Sequence, residues 1–319
     1  MIEVLAPGVL CTVQDTGRHG QQALGIGVCG AMDVFAARIA NTVLANPEQA
    51  PLLEITLGAA RFRVVRDGWF AIAGADLEAH CDGAALPLCQ PLRLRAGQEL
   101  HFARARRGCR ALLAVRGGFL AEPVFGSVAT DLRGGFGGVS GRALVRGDRL
   151  DWIESPGEWR APRAASTRLG NATLAEDAPL GLIAAPLLQA LHEEDRRDLF
   201  SRSFSVSKDS DRMGLRMLES LPSAATLPQQ LSSALVFGAL QLPPDGRPIL
   251  VGADRQTTGG YPVLGVVAGV DHWRIAQARP GDILHFRPIE AAAARQAWQQ
   301  REQALARLRV VVDGSWQRD

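Results

Sequence analysis

The chain of 319 residues is 47% apolar and 21% charged and carries a net charge of +2, a composition typical of globular domains. This near-neutral charge gives no electrostatic reason to expect binding to nucleic acid or to an anionic membrane. The sequence contains no apolar run of about 18 residues and no signal-peptide pattern at its start. We therefore expect no membrane span and a cytoplasmic location.

The cysteines and the single lysine exclude several classes of chemistry. Five scattered cysteines form no C-x-x-C pair and no Cys/His cluster at zinc spacing, so we expect neither a disulfide nor a metal site. Lys208 is the sole lysine and lies in S-V-S-K-D. A Walker A loop requires G-K-[ST], and a biotin carrier requires a lysine in an M-K-M-like turn. The chain is therefore predicted to be neither a P-loop ATPase nor a biotin carrier.

A first polar loop follows a short N-terminal strand. Gln14, Asp15 and Arg18 lie in V-Q-D-T-G-R-H-G, ahead of a glycine-rich run that ends at Gly30. A carboxylate near an arginine either pairs with it and braces the loop or takes part in ligand binding. Both interpretations of this loop stay open on the sequence.

The rest of the first half is predicted to be mostly β-structure. A helix over 32–45, with Asp33 in its first turn, precedes short strands separated by glycine turns between 52 and 115. This density of short strands is typical of a closed or nearly closed barrel. The stretch 116–141 that follows is too rich in glycine for a long helix.

A second polar cluster lies in that glycine-rich stretch. Thr130, Asp131 and Arg133 belong to T-D-L-R-G-G-F-G-G. The glycines do not form G-x-G-x-x-G between a strand and a helix, so dinucleotide binding is not supported. The stretch is either a long structural loop or a lid over a ligand.

A repeated turn pattern indicates two domains. The pattern is a basic residue, a glycine, a polar residue and then apolar residues, and it occurs at 95–100, 146–150 and 279–284. A linker rich in Pro, Ala, Thr and Arg runs from about 155 to 178. We therefore predict two β-rich domains, 1–165 and 166–319.

The second half is predicted to alternate strands with short helices. Its predicted strands include 180–184 and 235–242, and its predicted helices are 186–199, a short helix capped by Asp271, and 288–309. Asp211 and Arg212 lie in S-D-R-M-G-L-R, where they form another Asp-Arg loop. Such a pair is interpreted as structural or as ligand-binding.

The densest polar cluster, D-R-Q-T-T-G-G-Y-P, occupies Asp254 to Pro262. Apolar segments at 248–253 and 263–268 flank it, so we predict a polar loop held between two buried strands. Gly259 and Gly260 are expected to permit a positive φ and a close backbone approach. Loops held on rigid strands often carry binding or catalytic residues, whereas a plain hairpin turn requires fewer special residues than this loop has.

Four segments together resemble a known family. They are T-V-Q-D-T-G-R-H-G with G-A-M-D and L-E-I-T-L-G, then T-D-L-R-G-G-F-G-G with G-R-A-L, then S-D-R-M-G-L-R, and last A-D-R-Q-T-T-G-G-Y-P with A-R-P-G-D. In this order, over nearly the whole chain, they resemble the biotin-dependent carboxyltransferase family related to allophanate hydrolase subunit 2. Its members include the C subunit of ATP-dependent 5-oxoprolinase, the KipA proteins and part of urea amidolyase.

The resemblance implies a mainly β fold of two cyclophilin-like β-barrel domains. It also implies a subunit of an ATP-dependent 5-oxoprolinase, which opens 5-oxo-L-proline to L-glutamate and further contains the A and KipI-like B subunits. The chain is then inactive alone, and the complex uses ATP at a site not evident in this sequence. Two alternatives remain: a carboxyltransferase that acts on a urea-like substrate with biotin from another chain, and a KipA-like regulator that binds a KipI-like kinase inhibitor.

The same resemblance marks candidate site residues. The catalytic candidates are Asp254 as a general base or as a group that orients one, Arg255 as a carboxylate ligand and Tyr261 as a donor to an oxyanion. The candidate substrate-binding residues are Gln256, Thr257, Thr258, Asp211, Arg212, Gln14, Asp15, Arg18, Asp131 and Arg133. One segment departs from the family, because Ser232-Ser233-Ala234 stands where relatives carry Ser-Glu-Gly.

Overall fold

The computed structural model describes residues 1–154, 159, 178–228 and 230–314. The chain forms two compact units. Unit 1 contains Met1–Arg18, Cys29–Glu176 and Gln303–Asp319, and unit 2 contains His19–Val28 and Asp177–Glu302. The predicted boundary at 165 and most of the predicted linker lie outside the described residues. Strands predominate over helices in the described ranges, so the mainly β fold class is confirmed.

Unit 1 contains two antiparallel sheets. The first has the order β11-β1-β4-β9-β6-β7, with strands at Arg149–Leu150, Ile2–Pro7, Gly58–Val64, Glu99–Arg104, Ala79–Cys81 and Ala84–Ala85. The second has the order β2-β3-β10-β5-β8, with strands at Leu10–Gln14, Leu52–Thr56, Arg107–Val115, Gly68–Asp76 and Leu92–Leu94. The predicted run of short strands between 52 and 115 is therefore confirmed.

The two sheets of unit 1 share one apolar core. Strand β4 alternates buried and exposed residues, with Phe62 and Val64 inside and Arg61 and Arg63 outside, the pattern of a half-buried strand. Strand β3 is buried along its whole length, because the second sheet is covered on both faces. One face joins the shared core, and the other packs against a helix.

That helix is α1, Val34–Val43, shorter than the predicted range of 32–45. Asp33 is its N-cap rather than a first-turn residue, since its carboxylate accepts a hydrogen bond from the Ala36 amide at 2.9 Å. The same apolar layer includes Leu305, Leu308 and Val312 from the C-terminal helix α4, Ala291–Gly314. The C-terminal helix was predicted at 288–309. It begins later because Pro288 still belongs to a strand.

Unit 2 is built on a six-stranded sheet of order β14-β17-β16-β19-β12-β21. Its strands are Gly214–Arg216, Ile249–Val251, Ala239–Gln241, Val263–Val267, Leu180–Ala184 and Phe286–Pro288. Two short ladders accompany it: β13 (Phe204–Ser205) with β20 (Ile283–Leu284), and β15 (Ser233–Ala234) with β18 (Thr258–Gly259). Only β12 and β21 pair in parallel among the strands described in this sheet.

Two predicted elements of unit 2 were wrong in extent. The range 235–242 contains only the short strand β16, because the backbone turns at 237–238 just before that strand. Residues ahead of the range form β15 instead. The predicted helix 186–199 is a 3₁₀ turn at Pro186–Ala190 and then helix α2, Glu193–Ser201. The break falls at Leu191 and His192, whose backbone is extended, and acidic residues then favour a new helix start.

The predicted cap of the short helix was also wrong in detail. Helix α3 spans His272–Gln277, with Asp271 at its N-cap position but without a capping hydrogen bond from that side chain. The Asp271 carboxylate instead accepts from the Gly181 amide at 2.8 Å and pairs with Arg274 at 3.3 Å. It therefore ties the helix start to strand β12.

Candidate functional site

The segment predicted as the central polar loop is paired along part of its length. Strand β18 aligns with β15, so that Ser233 lies opposite Gly259 and Ala234 lies opposite Thr258. The Leu235 amide extends this pairing by donating to the Thr257 carbonyl at 3.1 Å. The backbones of Thr257 and Thr258 thus hold the ladder together.

Gln22 fastens this ladder from a distant part of the sequence. Its amide nitrogen donates to the main-chain carbonyls of Leu235 at 2.9 Å and Thr257 at 2.7 Å. Arg255 adds a third bond, from its Nε to the Leu235 carbonyl at 3.1 Å. Hydrogen bonds from side chains to main-chain carbonyls help to stabilise irregular backbone. The ladder is therefore fixed at both strands.

Asp254 forms a bidentate ion pair with Arg212. Both carboxylate oxygens accept at 2.8 Å, from Nε and from one terminal nitrogen of the guanidinium. The two side chains are 9% and 5% exposed, and the Asp254 amide also donates to the Arg212 carbonyl at 2.9 Å. This geometry joins the turn at 211–214 to the start of the central loop. The anticipated pairing within the Asp211-Arg212 dipeptide is thus replaced by a pairing between two segments.

Asp211 has a separate local function. Its Oδ1 accepts from the amides of Met213 at 2.8 Å and Gly214 at 3.3 Å. An aspartate that bonds to amides two residues ahead fixes a tight turn. The side chain of Asp211 also lines the cavity described next.

A cavity of about 800 Å³ opens beside the ladder. Four of the predicted site residues line it, namely Asp211, Arg255, Gln256 and Tyr261. Asp254, Arg212, Thr257 and Thr258 lie next to these residues in sequence but are absent from its lining. The cavity wall also has apolar parts, among them Leu227, Leu242 and Ile249. A volume of this size accommodates a small organic molecule.

The cavity wall combines groups of both charges with neutral amides. Arg216 and Arg255 supply guanidinium groups, and Asp209 and Asp211 supply carboxylates. Guanidinium binds a carboxylate through two parallel hydrogen bonds. Tyr261, the only tyrosine of the chain, is 45% exposed here and has a phenol hydroxyl that can donate. The cavity can therefore bind a small molecule that bears both a carboxylate and an amide.

The central loop requires a glycine for its small volume and not for an unusual backbone conformation. Neither Gly259 nor Gly260 has a positive φ, so the expectation of a left-handed backbone was wrong. A Cβ on Gly259 would lie 2.8 Å from a Leu235 methyl and 2.9 Å from the Gln241 amide nitrogen. A Cβ on Gly260 would meet nothing nearer than the Ser232 hydroxyl at 3.5 Å. The expected close approach therefore belongs to Gly259.

The other candidate residues belong to unit 1 and brace a loop there. Arg18 is fully buried, and its guanidinium donates to the carbonyls of Val124 at 2.8 Å and Ala129 at 2.7 Å while it stacks on Phe136 at 4.7 Å. Asp15 accepts from the Ser127 hydroxyl at 2.7 Å. The proposed Asp15–Arg18 pairing is therefore replaced by separate bonds from each side chain to the same loop.

Gln14, Asp131 and Arg133 complete this network. The Gln14 amide donates to the Thr130 carbonyl at 3.4 Å, and the Asp131 carboxylate accepts from the Arg133 amide at 3.1 Å. Asp131 also donates its own amide to the Phe136 carbonyl at 2.9 Å. The two polar clusters of the first half are thus brought together, mainly through bonds to main-chain atoms.

Sequence reasoning missed three residues of this region: Gln22, Arg216 and Gln241. Gln22 lies in the glycine-rich run after the first polar loop, where nothing in the sequence indicates a contact with residues 235 and 257. Arg216 and Gln241 each end a short strand and line the cavity. The polar residue that closes an apolar strand was the signal available for Gln241.

The described residues contain neither a metal-binding cluster nor a membrane-spanning helix. No group of three or more His, Cys, Asp or Glu side chains there could hold a metal ion. No helix in the described ranges is long and apolar enough to cross a membrane.

Comparison with known proteins defines the family. Residues 24–288 match the carboxyltransferase domain family, subdomains A and B. The chain belongs to this carboxyltransferase family. It is 39% identical to the 5-oxoprolinase C subunit of Escherichia coli, with 96% of this chain and 98% of the relative covered. It is 33% identical to the 5-oxoprolinase C subunit of Haemophilus influenzae, with 98% and 99% covered.

A solved structure agrees with this fold. The urea amidolyase of K. lactis superposes on 96% of this chain with a TM-score of 0.85 and 26% identity. The present chain spans only 20% of that much longer protein, whereas it spans 98% and 99% of the two 5-oxoprolinase subunits.

Proposed function

We propose that this chain is the C subunit of an ATP-dependent 5-oxoprolinase, which hydrolyses 5-oxo-L-proline to L-glutamate. The observation that carries the proposal is the end-to-end match to the Escherichia coli subunit, with 39% identity over 98% of that protein. The cavity supports it chemically, because a carboxylate-bearing lactam requires guanidinium groups and neutral hydrogen-bonding groups together.

Six residues that line the cavity have a part in this proposal. Arg216 and Arg255 bind the carboxylate of 5-oxoproline, and Gln256 adds a neutral hydrogen bond at the rim. Tyr261 donates to the oxygen on which negative charge develops when the lactam carbonyl is attacked. The apolar wall formed by Leu242 and Ile249 packs against the ring methylenes.

In this proposal Asp254 does not line the cavity as a base. Both of its carboxylate oxygens bond to Arg212, and the pair holds the loop that carries Arg255 and Tyr261. Asp254 is thus proposed as a positioning residue. The general-base role that the family resemblance suggested stays a prediction, and the two roles differ in the effect expected for removal of the Arg212 side chain.

The proposal includes partner chains and a cofactor. Hydrolysis of a resonance-stabilised lactam requires activation, and ATP supplies it by phosphorylating the amide oxygen. We assign ATP binding to the partners, since Lys208 does not belong to a Walker A loop. The partners are the 5-oxoprolinase A subunit plus a KipI-like B subunit, and the isolated chain is proposed to be inactive.

The test is reconstitution. The chain is co-purified with the A and B subunits, and glutamate release from 5-oxo-L-proline is measured with and without ATP. We expect ATP-dependent release from the full complex of three chains and none from any single chain. Absence of release from a correctly assembled complex would overturn the proposal.

The urea amidolyase superposition favours a second candidate, a carboxyltransferase that acts on a urea-like substrate with biotin supplied by another chain. Biotin dependence distinguishes the two. Avidin added to the assembled complex should leave 5-oxoprolinase activity unchanged, whereas it should abolish a biotin-dependent carboxylation of urea.

A further inference from the structure

One face of the sheet edge in unit 2 forms part of the cavity wall. Strands β14 and β17 place Gly214 opposite Val251 and Arg216 opposite Ile249, and all four residues line the cavity. Residues directly opposite each other in an antiparallel pair point to the same face, and successive residues of a strand alternate between faces. The Arg216 side chain therefore extends from the face that borders the cavity.

The guanidinium of Arg216 is available to a ligand. The residue is exposed, and its bonds to Ser207 and Ser210 involve its main-chain atoms. Its side chain forms no ion pair and no hydrogen bond with the residues that the structure describes. Arg255, by contrast, donates from Nε to the Leu235 carbonyl. Arg216 can therefore bind the carboxylate of a ligand without giving up a contact of its own.

A carboxylate lies in the turn that leads into strand β14. Oδ1 of Asp211 accepts from the amides of Met213 and Gly214, which fixes the side chain. Asp211 is exposed and lines the cavity, and its Oδ2 has no partner in the described part of the chain. A carboxylate oxygen held in this way suits a cationic donor, and 5-oxo-L-proline has no cationic group.

We propose that Asp211 binds the ammonium group that ring opening creates, so that the cavity retains L-glutamate as an inhibiting product. This inference rests on the proposed function. Hydrolysis breaks the bond between the lactam carbonyl carbon and the nitrogen. The water oxygen joins that carbon, which becomes a carboxylate, and both water protons go to the nitrogen, which becomes an ammonium group. Substrate and product share the α-carboxylate that Arg216 binds, but the product alone has a cation beside it.

Glutarate tests the contribution of the ammonium group, because it is the same five-carbon diacid without the nitrogen. Dissociation constants of L-glutamate and glutarate are measured by calorimetry on the assembled wild-type complex without ATP. Glutarate carries the larger negative charge, so guanidinium groups alone would favour it or bind both diacids alike. We expect L-glutamate to bind about fivefold more tightly, which corresponds to the upper range for an ion pair at an exposed site.

The variant Asp211→Asn keeps an oxygen for the two turn amides and removes the charge. We expect L-glutamate to bind more weakly, and glutarate to bind as tightly as before or more tightly, because a repelling charge is lost. The ratio of the glutarate to the glutamate dissociation constant should therefore fall to one or below. A general disturbance of the turn would instead weaken both ligands and leave their ratio near five.

The matched control is Asp245→Asn. Asp245 is also an exposed turn residue whose carboxylate accepts from the amide two residues ahead, that of Arg247, at 3.0 Å. It is absent from the cavity lining, so its substitution should leave the ratio at about five.

The outcomes separate this inference from the proposed function. A wild-type complex that hydrolyses 5-oxo-L-proline but binds the two diacids equally overturns the inference, as does an Asp211→Asn complex whose ratio stays near five. In both cases the proposed function stands. A correctly assembled wild-type complex that releases no glutamate overturns the proposed function and this inference with it.

Discussion

At the scale of single residues, substitutions in the Asp254–Arg212 pair distinguish two roles for Asp254. The residue either positions the loop through Arg212 or acts as a general base. Asp254→Ala in the assembled complex should lower turnover about 100-fold or more, the size of an acid–base contribution. If Asp254 acts by holding Arg212, then Arg212→Ala should cause a similar loss, and the double variant should be little worse than either single one. Turnover of the four proteins forms the double-mutant cycle.

The same cycle has a stability readout. Removal of one partner of a buried ion pair costs about 3–5 kcal/mol, because the other charge remains without compensation. Thermal unfolding of the isolated variants should therefore show each single substitution as more damaging than the pair removed together. A base that acts alone would give a large loss of turnover for Asp254→Ala and a nearly normal Arg212→Ala enzyme.

His272 makes a pH-dependent contribution to stability. Burial lowers its pKa to about 4, against a raising effect of its bond to the Val267 carbonyl and a further lowering by Arg301. The unfolded chain takes up this proton near pH 6.5 and the folded chain only near 4. The free energy of unfolding therefore falls as the pH drops from about 6.5 to about 4, by about 3 kcal/mol.

A non-titrating substitute tests this sign. His272→Gln should flatten that part of the stability curve, measured by urea unfolding at several pH values. His192 is exposed at the start of helix α2, so the control His192→Gln should leave the slope as it is. A slope unchanged by His272→Gln would show that another group causes the acid sensitivity.

At the scale of elements, the short β15–β18 ladder depends on the small volume of Gly259. Gly259→Ala should push Leu235 and Gln241 apart and cost roughly 1–3 kcal/mol, the usual range for overpacking a buried site. Gly260→Ala places its methyl group in ordinary contact and should be tolerated within about 0.5 kcal/mol. Thermal unfolding compares the two, and equal losses would show that space at Gly259 is not limiting.

Gln22 gives a second test of the same ladder. Gln22→Ala removes two hydrogen bonds to main-chain carbonyls, so amide hydrogen exchange at Gly259 and Leu235 should accelerate. Gln21→Ala is the neighbouring control, because Gln21 makes no capping bond in its own turn. If both variants exchange alike, Gln22 does not fasten the ladder.

Elements with local signals could be predicted from the sequence, whereas contacts between distant segments could not. Strand β12 was predicted at its observed bounds, because its apolar run stands between clear breaks. Residues 235–242 read as one strand, but the backbone turns to pair with the central loop, and apolar composition does not show such a turn. Among the residues that line the cavity, Arg255 and Tyr261 were site candidates because of their dense polar setting. Gln22 depends on a pairing that no local pattern encodes, and Gln241 had only the signal of a polar residue that closes an apolar strand.

At the scale of the whole molecule, the core of unit 1 depends on the last helix of the chain. Leu305 is fully buried with Leu308 and Val312 beside helix α1. Leu305→Ala should cost about 2–5 kcal/mol through the cavity that it leaves. Val310 is 70% exposed on the same helix, so Val310→Ala should change stability by less than about 0.5 kcal/mol. Urea unfolding measures both, and a tolerated Leu305→Ala would exclude the helix from that core.

The family motifs of the first half also support each other in the interior of unit 1. Glu54, from L-E-I-T-L-G, is 1% exposed and accepts from the amide of Met32, from G-A-M-D, at 2.6 Å. In this chain the two motifs are therefore joined inside unit 1 by a buried hydrogen bond.

The chain passes from one unit to the other four times, at residues 18–19, 28–29, 176–177 and 302–303. No single cut in such a polypeptide leaves both pieces with all the segments that their folds require. Gene fission or recombination within this module would therefore leave a segment that one unit requires on the other product. Longer proteins that contain the module are expected to have acquired it whole, and the superposition of 96% of this chain on one-fifth of urea amidolyase agrees with inheritance as an undivided block.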